Sequence, residues 1–377
     1  MIAMSDLAQL WPFLIHWLSA HAVVPFLTLL HIEGLSGNPD DISESLLIAA
    51  LQVGIIGLIF RPLESWLPAE QWTDRKLTLV DRNYTVMMLL GIFPLFTYLV
   101  LTPFSHLFGG ADTAASASDS TGSPLAIVHW IPWFNGHPLL LFLFYYVIYD
   151  FVYYWMHRTQ HAIPWWWALH SMHHSQRQMS CWTNDRGNLI DGFLQSMVLA
   201  VVGLLIGVQP DEFAWLMLLG ELAQNFSHAN VRIGFGRLFE KAFVDPKFHR
   251  LHHMLVDPER PGLHNCNYGQ VFSIWDVLFG TALYGIAPRP TGVGDPIVDA
   301  DNNYSLLGLH WVSTKRFLGA VRRKAGWIPG EVAFAADYTP IPISQLDLHA
   351  FGHAPRAAAQ AEPEQARGSV AVEGAPG

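Results

Sequence analysis

Asp150 to Ser175 reads DFVYYWMHRTQHAIPWWWALHSMHHS and carries five histidines, His157, His161, His170, His173 and His174. A second stretch, Pro246 to His253, reads PKFHRLHH and adds His249, His252 and His253. Neutral imidazole is the commonest protein metal ligand and suits iron, zinc and copper. On a helix, residues three and four apart share a face. His157 and His161 can therefore address one ion, and so can the rings of each His-x-x-His-His run. Eight imidazoles are about twice what a tetrahedral zinc site uses, which suits two metals in one pocket. The same stretch sets the fold. It closes an apolar run, Pro138–Met156, of the length that crosses a bilayer.

Working outward, the composition agrees. Of 377 residues 51% are hydrophobic and only 14% charged, with mean hydropathy +0.25, whereas soluble domains carry about 25% charged residues. Three further spans are expected before the histidines, at Trp11–Leu30, Leu46–Phe60 (ending at Arg61-Pro62) and Tyr84–Phe104. After them, Gly192–Val208 and Phe213–Phe226 are short and apolar, and Gln209-Pro210-Asp211-Glu212 joins them into a hairpin. No Lys or Arg lies between Phe104 and Met156, while Arg158, Arg177 and Arg186 follow directly. By the positive-inside rule, Ser105–His137 faces outward and the His157 side is cytoplasmic, as are both termini. The fold class expected is all-α integral membrane: about four transmembrane helices, a short membrane hairpin and a cytoplasmic histidine-rich helical cap.

The chain divides on this reading into transmembrane helices with an outward loop (1–137), the histidine core (138–285), a cytoplasmic extension (286–351) and a disordered tail (352–377). Arg232–Arg260 reads as basic and polar, as a cap should be. His310–Trp327 mixes five basic residues with apolar ones, as a helix on an anionic leaflet or a solvated surface helix does. A net charge of −10 argues against a nucleic-acid partner. Cys181 and Cys266 are too few for a disulfide framework and read as reduced packing residues. No Lys or Arg precedes Arg61, so the basic region of a signal peptide is absent. His16 and His21 interrupt the first span and read as packing or hydrogen-bonding residues. Trp165, Trp166 and Trp167 mark the headgroup level, with lining a substrate entrance as the sharper alternative. Glu221 is either paired within the bundle or near the pocket. Asp150 lies two helical turns before His157 on the same face, placed to accept a ring N–H or to steady the helix.

His157-x-x-x-His161, His170-x-x-His173-His174 and His249-x-x-His252-His253 resemble the three histidine boxes of the fatty acid hydroxylase/sterol desaturase superfamily. The flanks Tyr154-Trp155-Met156-His157-Arg158, Asn267-Tyr268-Gly269 and Trp275-Asp276-Val277-Leu278-Phe279-Gly280-Thr281 resemble it too. The resemblance covers roughly Asp150 to Thr281. It implies an integral membrane, non-haem di-iron oxidase with the eight box histidines as ligands. His228 and His264 stand where the family often has histidine, and they join the set as ligands or as hydrogen-bond partners. Asp185 and Arg186 stand near a polar arginine segment of the family and, with Asp150, are the candidates for orienting the ligands. Asp276 reads as structural. Val277 stands where the family often has a basic residue, which weakens any surface contact inferred there.

The activity implied is O₂-dependent oxidation of an unactivated C–H bond in a fatty-acyl, sterol or isoprenoid lipid, giving an alcohol. Desaturation and ether-lipid monooxygenation use the same site and remain alternatives. Soluble di-iron oxidases use Glu-x-x-His pairs, and the chain has none. No flavin, dinucleotide or haem signature appears, so an external electron donor is expected, a ferredoxin or a cytochrome with its reductase. The location expected is a bacterial inner membrane, with the endoplasmic reticulum as the alternative. A histidine-rich metal transporter is the alternative of another class. Transporters place ligands near the midplane on broken helices, and these boxes sit beside arginines at helix ends.

Overall fold

A computed structural model describes residues 4–32, 38–72, 74–96, 99, 126–208, 210–255, 265–286 and 290–322. Among these the regular elements are helical, and the only β pairing is two isolated bridges, Pro68 with Val231 and Met254 with Thr291. Three helices are long and apolar enough to cross a membrane: α1 (Gln9–Leu29), α2 (Pro39–Trp66) and α4 (Pro138–Ala162). Between them, α3 (Lys76–Met87) leads through a π-helical turn, Met88–Ile92, to Phe93–Phe96. The expected span Tyr84–Phe104 thus starts inside α3, and its end lies outside the described residues. The loop Ser105–Ser123, His264 and the tail from Ala354 lie outside them as well.

Helix α2 is longer at both ends than the expected Leu46–Phe60. Asn38 caps its start, accepting from Asp40 N at 3.1 Å, with Pro39 in the first turn and Asp40 and Asp41 facing the positive end of the helix dipole. Apolar periodicity cannot see this polar turn. At the other end Pro62 follows a π-helical segment, Ile56–Phe60, and the helix continues to Trp66. The proline's missing N–H falls where the α pattern is already broken.

The apolar hairpin is α6 (Leu189–Ile206) and α7 (Pro210–His228). Asn188 caps α6 through Ile190 N at 2.9 Å. Gly207 closes it at φ +80°, where an added Cβ would come within 2.5 Å of Ala126 Cβ. Between α4 and α6 lies α5 (Pro164–His174), started by Pro164 after an extended Ile163. Tyr149, Tyr153 and Met156 of α4, Trp166 and Leu169 of α5 and Leu199 of α6 form one buried cluster.

Helix α8 (Pro246–His252) is capped by Asp245, which accepts from Phe248 N at 2.8 Å, and α9 (Ile274–Leu278) follows after the loop. Helix α10 (Leu306–Arg322) packs along α5 and buries Leu309, Ser313 and Ala320. Leu309 meets Met172 of α5 and Tyr84 of α3. Arg177 pairs with Asp299, Arg316 pairs with Asp301 at 2.6 Å, and Asn302 Nδ2 donates to Ser175 O at 2.7 Å. The expected surface helix is therefore bound to the histidine core on one face, with Leu307 and Trp311 exposed on the other.

Burial adds detail to two expectations. Trp166 and Trp167, expected at the headgroup level, are buried within the protein: Trp166 Nε1 donates to Asp191 at 2.8 Å, and Trp167 packs with Val293 and Val298. Their indole N–H and ring surface are used inside the core. The Arg232–Arg260 segment, read as basic and polar, also exposes Leu238, Phe239 and Phe243 between its charges, and its end from residue 256 lies outside the described residues.

Candidate metal centre

Helix α4 carries His157 and His161 one turn apart, and α5 carries His170, His173 and His174. His228 is the last residue of α7, and α8 with its C-cap supplies His249, His252 and His253. The Pro164 start of α5 and the Asp245 cap of α8 fix where those two helices begin, and so which way their histidines face. Nine of the ten expected ligands are described, and they meet in one place, each at most 8% exposed. The tenth, His264, lies outside the described residues.

The rings form overlapping groups whose ligand-capable atoms lie within 4.8 Å of one another. One group is His157, His161, His170 and His174; another is His173, His228 and His253; the third, His174, His252 and His253, joins them. His228 Nε2 lies 3.1 Å from Nε2 of each of His173, His249 and His253, and His157 Nε2 lies 3.0 Å from His252 Nε2.

Those short contacts carry the chemical argument. His157 Nδ1 donates to Tyr268 O at 2.9 Å, His173 Nδ1 to Arg186 O at 3.1 Å, His228 Nδ1 to Gln224 O at 2.7 Å and His252 Nδ1 to Cys266 O at 2.7 Å. A carbonyl only accepts, so in a neutral ring the proton is on Nδ1 and Nε2 presents a lone pair. His157 and His252, and likewise His173 and His228, then aim lone pairs at each other across about 3 Å. That arrangement is repulsive unless a cation lies among the rings. Burial, and then the neighbouring imidazoles, hold His173, His249 and His253 well below the usual histidine pKa, and the same holds for His174. Neutral rings with oriented lone pairs are what a metal requires. The donor set fits iron.

The candidates for orienting ligands sort differently. Arg186 is buried against Asp81 (3.0 Å), donates to Met172 O and Ser175 Oγ, and its own carbonyl holds His173. Asp185 accepts from Thr85 Oγ1 at 3.0 Å and Asn225 Nδ2 at 3.3 Å, which ties α3 to α7. Burial raises its carboxyl to about 6. Asp150 accepts from none of the described histidine rings; it accepts from Val271 N, Phe272 N and Trp275 Nε1 at 2.8–3.1 Å and so fastens the chain after the third box to α4. Asp276 accepts from Tyr268 N and Gly269 N, both at 2.8 Å, and fixes the loop whose Tyr268 carbonyl orients His157. Asn267, at φ +58°, bonds Phe248 O and Leu283 through its side chain and holds that loop against α8. Glu221 is paired, accepting from Asn184 Nδ2 at 2.6 Å. His16 pairs with Asp40 and His21 bonds Trp17 O, on the exposed amino-terminal helix and apart from the boxes. Cys181 and Cys266 are free and buried, and burial pushes the Cys266 thiol up.

Sequence reasoning missed Asp191. It lies one residue before the apolar run Gly192–Val208, and it accepts from His170 Nδ1 at 3.1 Å. Its available signal was a charge beside the Asn188 cap at the mouth of an apolar helix. Asp81, which holds Arg186, was missed too.

Residues 142–281, the segment that contains all nine of these described histidines, match the fatty acid hydroxylase family. This segment carries the signature of the fatty acid hydroxylase/sterol desaturase superfamily. Within that superfamily it is similar to human alkylglycerol monooxygenase, 28% identical over 48% of this chain and 41% of the relative. It is similar to an ornithine lipid hydroxylase of Rhizobium tropici, 30% identical over 39% of this chain and 43% of the relative. A delta(7)-sterol 5(6)-desaturase of Gibberella zeae is 28% identical over 42% of this chain and 45% of the relative. The matched region is thus less than half the length of each of these relatives. No solved structure matches the chain. The superfamily is known for iron use, and the buried histidine groups are consistent with it.

Proposed function

We propose that this chain is a membrane oxidoreductase that uses O₂ to oxidise an unactivated C–H bond of a lipid, most often to an alcohol. The observation that carries this reading is the convergence of buried, tautomer-fixed imidazoles. Two iron ions suit the donor set: one among His157, His161, His170 and His174, the other among His173, His228 and His253, with His249 and His252 beside them. His264 is the remaining candidate. Bound iron would supply the oxygen-dependent attack on the C–H bond. The protein's part is to hold the rings by their Nδ1 hydrogens, keep them neutral and exclude water. Arg186 acts through its carbonyl and Asp150 and Asp185 through the packing of their helices.

An apolar groove of about 280 Å³ lies between α4, α5 and α6, lined by Phe151, Val152, Trp155, Met156, Thr159, Trp166 and Val198. It backs onto the histidines through Trp166 and Asp191 and fits a hydrocarbon chain. The similarity to alkylglycerol monooxygenase favours an ether lipid as a second reading of the substrate; the similarity to a sterol desaturase keeps desaturation as the other outcome of the same site. Nothing among these relatives favours a transporter. Electrons come from an external ferredoxin or cytochrome. The protein sits as a multi-pass protein in a bacterial inner membrane or the endoplasmic reticulum, its histidines on the cytoplasmic side. The crossings are α1, α2, the segment from Tyr84 and α4, with α6 and α7 as the partial hairpin. Residues 138–285 are the oxidase core, and 286–351 and 352–377 are the extension and tail.

The test is lipid analysis of cells with and without the gene, followed by assay of purified protein with supplied electrons. A gain of one oxygen in a lipid supports hydroxylation, and a loss of two hydrogens supports desaturation. Turnover without O₂ rules the scheme out.

A further inference from the structure

We infer that Asp191 is a positioning residue of this centre and makes its two histidine groups unequal. The inference rests on the metal-centre reading above and concerns a residue that reading does not need. Asp191 stands in the first turn of α6 and is 1% exposed. Its Oδ1 accepts from Gln160 Nε2 of α4 and from Trp166 Nε1 of α5, both at 2.8 Å, and its Oδ2 accepts from His170 Nδ1 at 3.1 Å. One carboxylate therefore fastens three helices at the point where the first two boxes approach each other.

The carboxylate decides the state of His170. With its proton on Nδ1 facing Asp191, the ring presents a lone pair at Nε2, which has no hydrogen-bond partner among the described residues and belongs to the group with His157, His161 and His174. Four other rings, His157, His173, His228 and His252, donate to neutral carbonyls instead. A charged acceptor draws the Nδ1 proton more strongly than a carbonyl does and makes the ring a stronger donor at Nε2. His173 and His228, which form most of the second group, lack that push. An ion in the His170 group is therefore richer in electrons than an ion in the His173–His228–His253 group.

The geometry also says what would undo this. In Asp191→Asn, the remaining oxygen can still accept from Gln160 and Trp166, which leaves the amide nitrogen facing His170. That nitrogen only donates, so His170 Nδ1 must accept, the ring proton moves to Nε2, and the lone pair leaves the group. Turning the amide over restores His170 but sets N–H groups against two N–H donors. The variant keeps the shape of the site and inverts one tautomer. Trp166→Phe removes a neighbouring bond to the same carboxylate and leaves His170 as it was.

The experiment compares full-length wild type, Asp191→Asn and Trp166→Phe from cells grown on iron-57, by iron content and Mössbauer spectroscopy. Wild type is expected to show two distinct quadrupole doublets. Asp191→Asn is expected to lose or shift one of them, with iron held about 10- to 100-fold more weakly, the usual cost of losing a ligand's outer partner, while Trp166→Phe keeps both. Asp191→Asn with wild-type iron content and spectrum overturns the inference. Equal iron loss in Trp166→Phe overturns it too, because Asp191 would then be only a clamp between helices. The wild-type spectrum needs no variant to fold: iron present in a single doublet overturns the inequality alone. Wild type that holds no iron overturns the metal-centre reading and this inference with it.

Discussion

The amino-terminal helices and the histidine core are built from the same apolar alphabet and put it to opposite uses. Over their most apolar windows, α1 and α2 are each 17% buried within the protein, against 39% for α4. Leu29, Leu58 and Phe13 face outward, whereas Tyr149, Tyr153 and Met156 face one another. The outer helices answer to their surroundings, so many apolar residues serve at each position. The core answers to polar satisfaction: Asp81, Asp150, Asp191, Arg186 and Asp276 are buried, and each holds specific partners. Tolerance should follow this division.

The sharpest way to break the comparison is at the rings. His173→Ala removes a proposed ligand and the contact with His228, and oxidation of the lipid substrate should fall by more than about 100-fold, beyond the loss typical of an outer partner. Iron content measured on the same protein checks the cause. Arg186→Met comes next. It leaves Asp81 as a buried, uncompensated charge and should cost about 3–5 kcal/mol, read as a lowered unfolding midpoint in detergent. Asp276→Ala strips the acceptor from Tyr268 N and Gly269 N and should cost about 1–3 kcal/mol. Because the Tyr268 carbonyl then loosens from His157, iron retention should fall with it.

A smaller effect follows from Asp185. Its folded carboxyl is raised to about 6 from an ordinary value of 3.8, chiefly by burial. The folded state thus holds that proton more tightly than the unfolded chain. The stabilisation is complete below about pH 3.8 and is lost as pH rises through about 6. The unfolding temperature of wild type minus that of Asp185→Asn should therefore decrease between pH 4 and pH 7, and a rising difference would contradict the assignment. Smallest of all, Leu58→Ala, at a position 81% exposed, should stay within about 0.5 kcal/mol in detergent. A loss there as large as at Asp276 would erase the distinction between the two regions.

The legible part of this molecule was the part written in periodicity and in residue type. His157 and His161, four apart, and the two His-x-x-His-His runs announce both their helices and their convergence, and the apolar runs announce the long helices. What stayed hidden depends on contacts between distant segments. Asp150 was placed beside His157 by helical spacing, yet its partners lie at Val271–Trp275, which no local pattern reveals. Asp191 adjoins the apolar run that starts at Gly192, and its three donors come from α4 and α5, which no local pattern shows. The polar first turn of α2 and the buried faces of Trp166 and Trp167 escaped for related reasons. Hydropathy reads a cap as loop and an indole as a boundary marker.

Four of the rings are held by main-chain oxygens, those of Tyr268, Arg186, Gln224 and Cys266. Such an oxygen is present whichever side chain is attached, so replacement at these positions need not disturb the ring it steadies so long as the chain keeps its course. Much of the ligand-holding apparatus is thus written in the path of the polypeptide, and drift in the letters around the boxes can proceed while the nitrogens stay aimed.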